Sequence, residues 1–162
     1  MNADWDKRVA DLWAAADEHE DDTFIAMMDA LAAELPPGSA AGLFERASAR
    51  DSTGHSDLAV PLYREALAAG LDDGLRRQAT IQMCSSLRNL GQAKQAADVL
   101  SAEAAAGPDE LDGAVSAFLA LALVDLGRER EAVGLALTAL SKYLPRYNKS
   151  LARYAEALTQ SA

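Results

Sequence analysis

The sequence predicts an all-α fold of about nine helices, packed as antiparallel pairs in a stack. Three observations carry this expectation. Half of the 162 residues are hydrophobic, but Ala occurs 36 times and Leu 23 times against two Ile and six Val, and aromatics make up only 6%. Strands favour β-branched and aromatic side chains, whereas Ala and Leu favour helices. Apolar residues also recur at spacings of three and four over runs of helical length. Finally, a register repeats. Gly54, Gly91 and Gly127 stand 37 and 36 residues apart, each followed five positions later by Ala59, Ala96 or Ala132, and seven later again by Ala66, Glu103 or Ala139.

The first element is a helix pair over residues 1–37. Trp5, Val9, Leu12, Trp13 and Ala16 form one apolar stripe, and Asp21-Asp22-Thr23 opens a second helix, whose N-terminal end favours acidic side chains. Its segment Ala30-Leu31-Ala32-Ala33-Glu34-Leu35 is echoed 36 residues later by Ala66-Leu67-Ala68-Ala69-Gly70-Leu71, so the pair reads as a degenerate repeat. Pro36-Pro37-Gly38 ends it. Three repeats follow at 38–73, 74–109 and 110–145, separated by the turn residues Leu71-Asp72-Asp73, Gly107-Pro108-Asp109 and Leu144-Pro145.

Within each repeat a glycine allows the left-handed turn that ends the first helix, and an alanine sits where the two helices approach closely. In the middle repeat, the run Gly74–Leu90 carries Leu75, Ile81, Met83, Cys84, Leu87 and Leu90. The run after Gly91 carries Ala93, Ala96, Ala97, Val99, Leu100 and Ala104. Pro61 falls about one turn into its helix, where it removes a hydrogen bond unless that helix begins near Asp57 or Leu58. The helix Gly113–Leu126 is apolar on nearly every face, so either the last helix covers it or it presents an apolar patch. Tyr147, Leu151, Tyr154, Ala155 and Leu158 stripe a capping helix within 146–162, completing one domain over 1–162.

Charge and chemistry narrow the functions. A formal net charge of −10 argues against nucleic acid and against an anionic membrane surface as partners. The start Met1-Asn2-Ala3-Asp4-Trp5-Asp6 shows no signal peptide, and the apolar stretch Phe118–Val124 is too short to span a bilayer, so a cytoplasmic location is expected. The single Cys84 excludes an intramolecular disulfide and a Cys-rich zinc site, and it reads as a buried, inert thiol. His19, in Glu18-His19-Glu20-Asp21-Asp22, lacks the glycine and alternating ligands of a calcium loop. His55 reads as a turn residue. No phosphate loop, nucleophile elbow or paired zinc motif occurs, so no catalytic residue, metal or cofactor is expected.

Charge is also uneven along the chain. Residues 1–34 carry ten acids against Lys7 and Arg8, while residues 142–162 carry Lys142, Arg146, Lys149 and Arg153 against Glu156. At spacings of four, three and four, the four bases read as a stripe on one helix face. Such a stripe is either solvated or meets an acidic surface, on a partner or on a second copy.

The glycine-centred units resemble the tetratricopeptide repeat family, whose pattern sets a Gly at the inter-helix turn, a small residue five later, an aromatic or large residue four after that, and an Ala three further on. Gly54…Ala59…Tyr63…Ala66 matches all four positions. Gly127…Ala132…Ala139 matches three, with Ala136 in the aromatic place. Gly91…Ala96…Leu100 keeps the first three, and Glu103 replaces the final Ala. The family's Trp appears as Leu43, Thr80 and Ser116, and its Leu-Gly pair as Arg46-Ala47, Met83-Cys84 and Leu119-Ala120. The period of 36 to 37 exceeds the family's ~34. The resemblance runs from about Asp22 to Tyr143.

The resemblance implies a right-handed superhelix whose first helices line a concave, partner-binding groove. Transferring the family register places Ala41, Phe44, Ser48 and Asp51 there from one repeat, Gln78, Ile81, Ser85, Arg88 and Asn89 from the next, and Ala114, Ala117, Leu121 and Val124 from the third. The family's clamp for a C-terminal carboxylate uses Lys and Asn or Arg, but Phe44, Ser48 and Ile81 stand where it begins, so that ligand is not expected. The leading function is a non-catalytic protein-protein interaction scaffold that takes a peptide or helix in the groove. Two alternatives are a secretion-type chaperone for an exported protein and a homo-oligomeric structural protein.

Overall fold

The structure is a computed structural model that describes residues 3–107 and 109–159. Pro108, which the sequence places in the turn after the second repeat, lies outside the described residues. Among those described there are nine α-helices and no strand: α1 Ala3–Ala14, α2 Asp21–Ala32, α3 Ala40–Ser52, α4 Ser56–Ala69, α5 Asp73–Asn89, α6 Ala93–Ala105, α7 Asp112–Asp125, α8 Glu129–Ser141 and α9 Asn148–Thr159. A short 3₁₀ turn, Ala16–Glu18, joins α1 to α2. The chain divides into two compact units at Ala79/Thr80, within α5.

The first unit is held by aromatic packing and by charge. Trp5, Val9, Leu12, Phe24, Met28 and Ala49 form a buried cluster, with Trp13, Leu31 and Leu35 packed against it. Large aromatic side chains are scarce in this chain, and two of them meet here. Trp13 and Phe24 pack edge to face with centroids 5.0 Å apart, a geometry that adds about 0.5–1.5 kcal/mol beyond area burial. The Trp5 indole donates to the Leu31 carbonyl at 2.8 Å, tying α1 to α2. Asp29 on α2 accepts from Arg46 at 3.0 Å and from Arg50 at 2.8 Å, tying α2 to α3. These arginine hydrogen bonds, that of Arg50 foremost, hold the Asp29 carboxyl below its ordinary range.

The turn between α3 and α4 shows why the repeat needs its glycine. Gly54 has φ +82°, its N–H donates to the Asp51 carbonyl at 3.1 Å, and the next N–H, of His55, reaches back to Arg50 at 2.8 Å. This is the Schellman closure, which uses the orphan carbonyls of the helix end and demands a left-handed residue. Five residues on, Ala59 is fully buried, and Phe44 and Tyr63 pack with centroids 6.3 Å apart. Pro61 lies inside α4, which begins at Ser56. It therefore removes the bond to the Asp57 carbonyl. Both residues are exposed, which lets solvent take its place.

In the second unit α6 packs on α7, α7 on α8 and α8 on α9. The same closure recurs. Gln92 N–H donates to Leu87 and Gly91 to Arg88, while Arg128 donates to Leu123 and Gly127 to Val124. Ala96 and Ala132, five residues past each glycine, are buried. The approach of α9 to α8 rests on Gly134, where a Cβ would stand 2.8 Å from the Ala155 carbonyl oxygen and 3.2 Å from the Leu158 Cβ.

The stripe of four bases is not on one helix. Lys142 caps the C-terminus of α8, Arg146 lies in the following loop, and only Lys149 and Arg153 belong to α9. Pro145 and the left-handed Tyr147, at φ +66°, interrupt the run. Exposed, non-glycine and left-handed, Tyr147 marks the chain reversal before α9.

If the alanines set the helix separation, enlarging one is costly where no space is free. Ala59→Leu is expected to destabilise the chain by about 1–3 kcal/mol through overpacking, read as a lower urea midpoint with an unchanged slope. An unchanged midpoint contradicts the close approach at that position.

Candidate functional site

The helices expected to line a groove present a narrower surface than the transferred register implies. In the first unit Phe44 and Ser48 are buried, Phe44 against Tyr63 and Ser48 within 3.4 Å of the Tyr63 hydroxyl. Those two supply core rather than surface. Their period places them on the inner face of α3, where stacking against α4 needs volume. Asp51 is half-buried, and the Tyr63 hydroxyl donates to it at 3.4 Å. Burial raises the Tyr63 phenol well above its ordinary range, so it acts only as a neutral donor. Gln78 is exposed.

In the second unit Ile81 is buried and Ser85 partly so, which again makes Ile81 core. Asn89 is exposed. Arg88 donates to Asp125 at 2.6 Å, joining α5 to α7. Asp125 was not singled out in the sequence. Its signal is the offset of 37 residues from Arg88, one repeat length.

The surface that remains open lies on α7. Val115, Leu119, Ala122 and Leu123 are buried on one side of this helix, whereas Ala117, Leu121 and Val124 are exposed on the other, Leu121 at 45% and Val124 at 46%. Spacings of four and three put these three on a single face. The all-round apolar character of α7 thus divides into a packed side and an open side. α9 packs on α8, and the α7 face stays exposed. Ala114 is half-buried beside this stripe, as is Ala41 in the first unit.

The basic residues have mixed surroundings. Lys142 lies 4.0 Å from Asp112, and Arg153 stacks over the Tyr154 ring at 5.2 Å. Arg146 and Lys149 are exposed. Tyr143, Tyr147 and Tyr154 are all strongly exposed around them.

Two titratable groups carry predictions. Cys84 is fully buried, and burial, with Glu103 adding repulsion, pushes its thiol up to about 12. The thiolate is the reactive form, so iodoacetamide should leave the native chain unmodified at neutral pH and label it only in denaturant. Rapid native labelling, followed by mass spectrometry, would contradict this. Burial also raises the Glu45 carboxyl above its ordinary 4.5, Asp6 adding repulsion, although the Trp13 indole donates to it at 2.7 Å. A carboxylate raised on folding opposes folding above its folded pKa, and that opposition vanishes as pH falls to the unfolded value. Glu45→Gln, which keeps an acceptor for Trp13, should therefore melt above the wild type at pH 7, with the difference closing below pH 4.5.

Among the described residues no helix is long and apolar enough to cross a membrane. No curated protein and no solved structure matches the chain. A family model described as Tetratrico peptide repeat matches residues 40–158, from the start of α3 into α9 and well over half of the chain. The match leaves out α1 and α2. With the glycine closures at Gly54, Gly91 and Gly127 and the buried alanines that follow them, it shows that this chain belongs to the tetratricopeptide repeat family.

Proposed function

We propose that the chain is a non-catalytic scaffold that holds a segment of another protein against α7. Tetratricopeptide repeats generally mediate protein-protein interaction and are generally non-catalytic. The observation that carries the proposal is the exposed Ala117-Leu121-Val124 face on a helix whose opposite side is packed. An apolar face of this kind is suited to the apolar stripe of an amphipathic helix. Arg88 and Asp125 flank it as a paired polar edge that fixes how a segment can lie. Of the other positions the register proposes, Gln78, Ser85 and Asn89 retain some exposure, whereas Phe44, Ser48 and Ile81 act by supporting the helices from inside.

A second reading, self-association, is favoured by the exposed Tyr143, Tyr147 and Tyr154 and by Leu140, 48% exposed, at the C-terminal end. The two readings separate by experiment. Burying a Leu side chain contributes roughly 1.5–3 kcal/mol, so Leu121→Glu should weaken partner capture from lysate at least ~10-fold. Val133→Glu, at an exposed apolar site on α8, should not. Circular dichroism must show both variants folded, and light scattering should find a monomer. Equal capture by Leu121→Glu and wild type refutes the α7 face. Capture of nothing but further copies, with a dimer or larger species in light scattering, replaces the scaffold with self-association.

A further inference from the structure

A cleft of about 380 Å³ opens in the first unit between α1, α3 and the start of α5. That volume lies in the range of pockets for small ligands or single side chains. Its walls include Trp5 and Trp13, which are all the tryptophan the chain has. Both indole N–H groups are already committed, Trp5 to the Leu31 carbonyl at 2.8 Å and Trp13 to Glu45 at 2.7 Å. What the rings offer a ligand is therefore carbon surface, and Leu75 extends the apolar wall.

Three carboxylates, Asp6, Glu45 and Asp72, line the same cleft. Elsewhere in this unit some acids meet bases, Asp29 with Arg46 and Arg50, Glu34 with Arg8, and Asp11 with Lys7. Asp6, Glu45 and Asp72 have no cationic partner among the described residues. Two of them are held in place, Glu45 by Trp13 and Asp72 by accepting the Leu75 N–H at 3.0 Å. Both Asp6 and Glu45 are half-buried, and leaving such charges uncompensated is unfavourable. Among the described residues no three acidic, thiol or imidazole side chains stand close enough to hold a metal ion. A bare divalent ion is thus a poor occupant. A single positive charge on a flexible apolar stem suits both the carboxylates and the indole walls.

We propose that this cleft receives a lysine or arginine side chain from a protein partner, with Asp6, Glu45 and Asp72 meeting the charge and the half-buried Trp13 packing the stem. The inference deepens the proposed scaffold role and rests on it for the source of the side chain. It also gives the acidic N-terminal end a recognition task, the choice of segments with a cation.

The test uses the full chain, 15N-labelled, whose only two indole N–H signals both report on the cleft. N-acetyl-lysine methylamide and N-acetyl-arginine methylamide are titrated as probes, with the uncharged N-acetyl-norleucine methylamide as comparator. Saturable shifts of both indole signals with either cation are expected, with norleucine at least ~10-fold weaker. Asp6→Asn, and separately Glu45→Gln, should each weaken binding about 10-fold, the loss of one charge-assisted contact. Asp6 makes no side-chain hydrogen bond among the described residues, so its variant keeps the test open should Glu45→Gln disturb the Trp13 contact. Silent indole signals up to the solubility limit, or norleucine binding as tightly as the cations, overturn the proposal. A silent cleft with Leu121-dependent capture intact overturns the cleft alone. A responding cleft with Leu121-independent capture overturns the α7 face alone.

Discussion

The chain reversal at a left-handed glycine is the constraint on which the helix pairs depend. At Gly54, Gly91 and Gly127 the backbone closes each first helix with the same two hydrogen bonds, one from the glycine and one from the residue after it. The next helix then starts in a set direction, and five residues on it must pass close to its neighbour. Ala59, Ala96 and Ala132 are each at most 2% exposed. A larger side chain there would separate the pair. A β-carbon at the glycine would force the reversal through a conformation that costs L-residues roughly 1–2 kcal/mol. Turn and small residue are thus one device, and the 36 to 37 residue period is the distance over which it recurs.

The two units spend their side chains differently. The first has both tryptophans, Phe24, Phe44 and Tyr63, together with the two-arginine clamp on Asp29. Its α1 is anchored by indole hydrogen bonds at both ends of the helix, to Leu31 and to Glu45. The second is built mainly from Leu, Val and Ala, with Ile81, Met83 and Cys84 at its start, and relies on close backbone approach, most sharply at Gly134 against Ala155. Aromatic anchoring tolerates the irregular α1–α2 junction, where a 3₁₀ turn stands in place of a glycine closure. Close packing of small residues needs the regular turns that the second unit has.

Electrostatics follows the same division. The acids of the first unit outnumber the bases, and of those bases Arg46 and Arg50 go to Asp29, Arg8 to Glu34 and Lys7 to Asp11. Around Trp13 the protein therefore carries carboxylates without cations, and burial raises one of them, Glu45. In the second unit Arg88 and Asp125 pair across α5 and α7 next to an apolar face. One surface offers negative charge beside indole rings, the other offers aliphatic side chains beside a neutralised pair.

Composition and period determined the all-helical fold and the glycine turns, because both are local. Helix preference, amphipathic spacing and the left-handed turn depend on residues near each other in sequence. Pro61 shows a limit of local rules: its helix starts at Ser56 regardless, since a solvent-facing carbonyl can lose a partner cheaply. Which apolar residues are free was decided by tertiary packing. Phe44 and Ile81 look like Leu121 in sequence, yet the first two are buried and Leu121 is open. The difference lies in what stacks on each helix, which no single-helix pattern encodes. The division of Lys142, Arg146, Lys149 and Arg153 between a cap, a loop and α9 depended on Pro145 and on Tyr147 taking a conformation its residue type disfavours. The cleft beside Trp13 joins residues 6, 45 and 72. Their sequence separation is too wide for any local rule, so only the packing of α1, α3 and α5 brings them to one place.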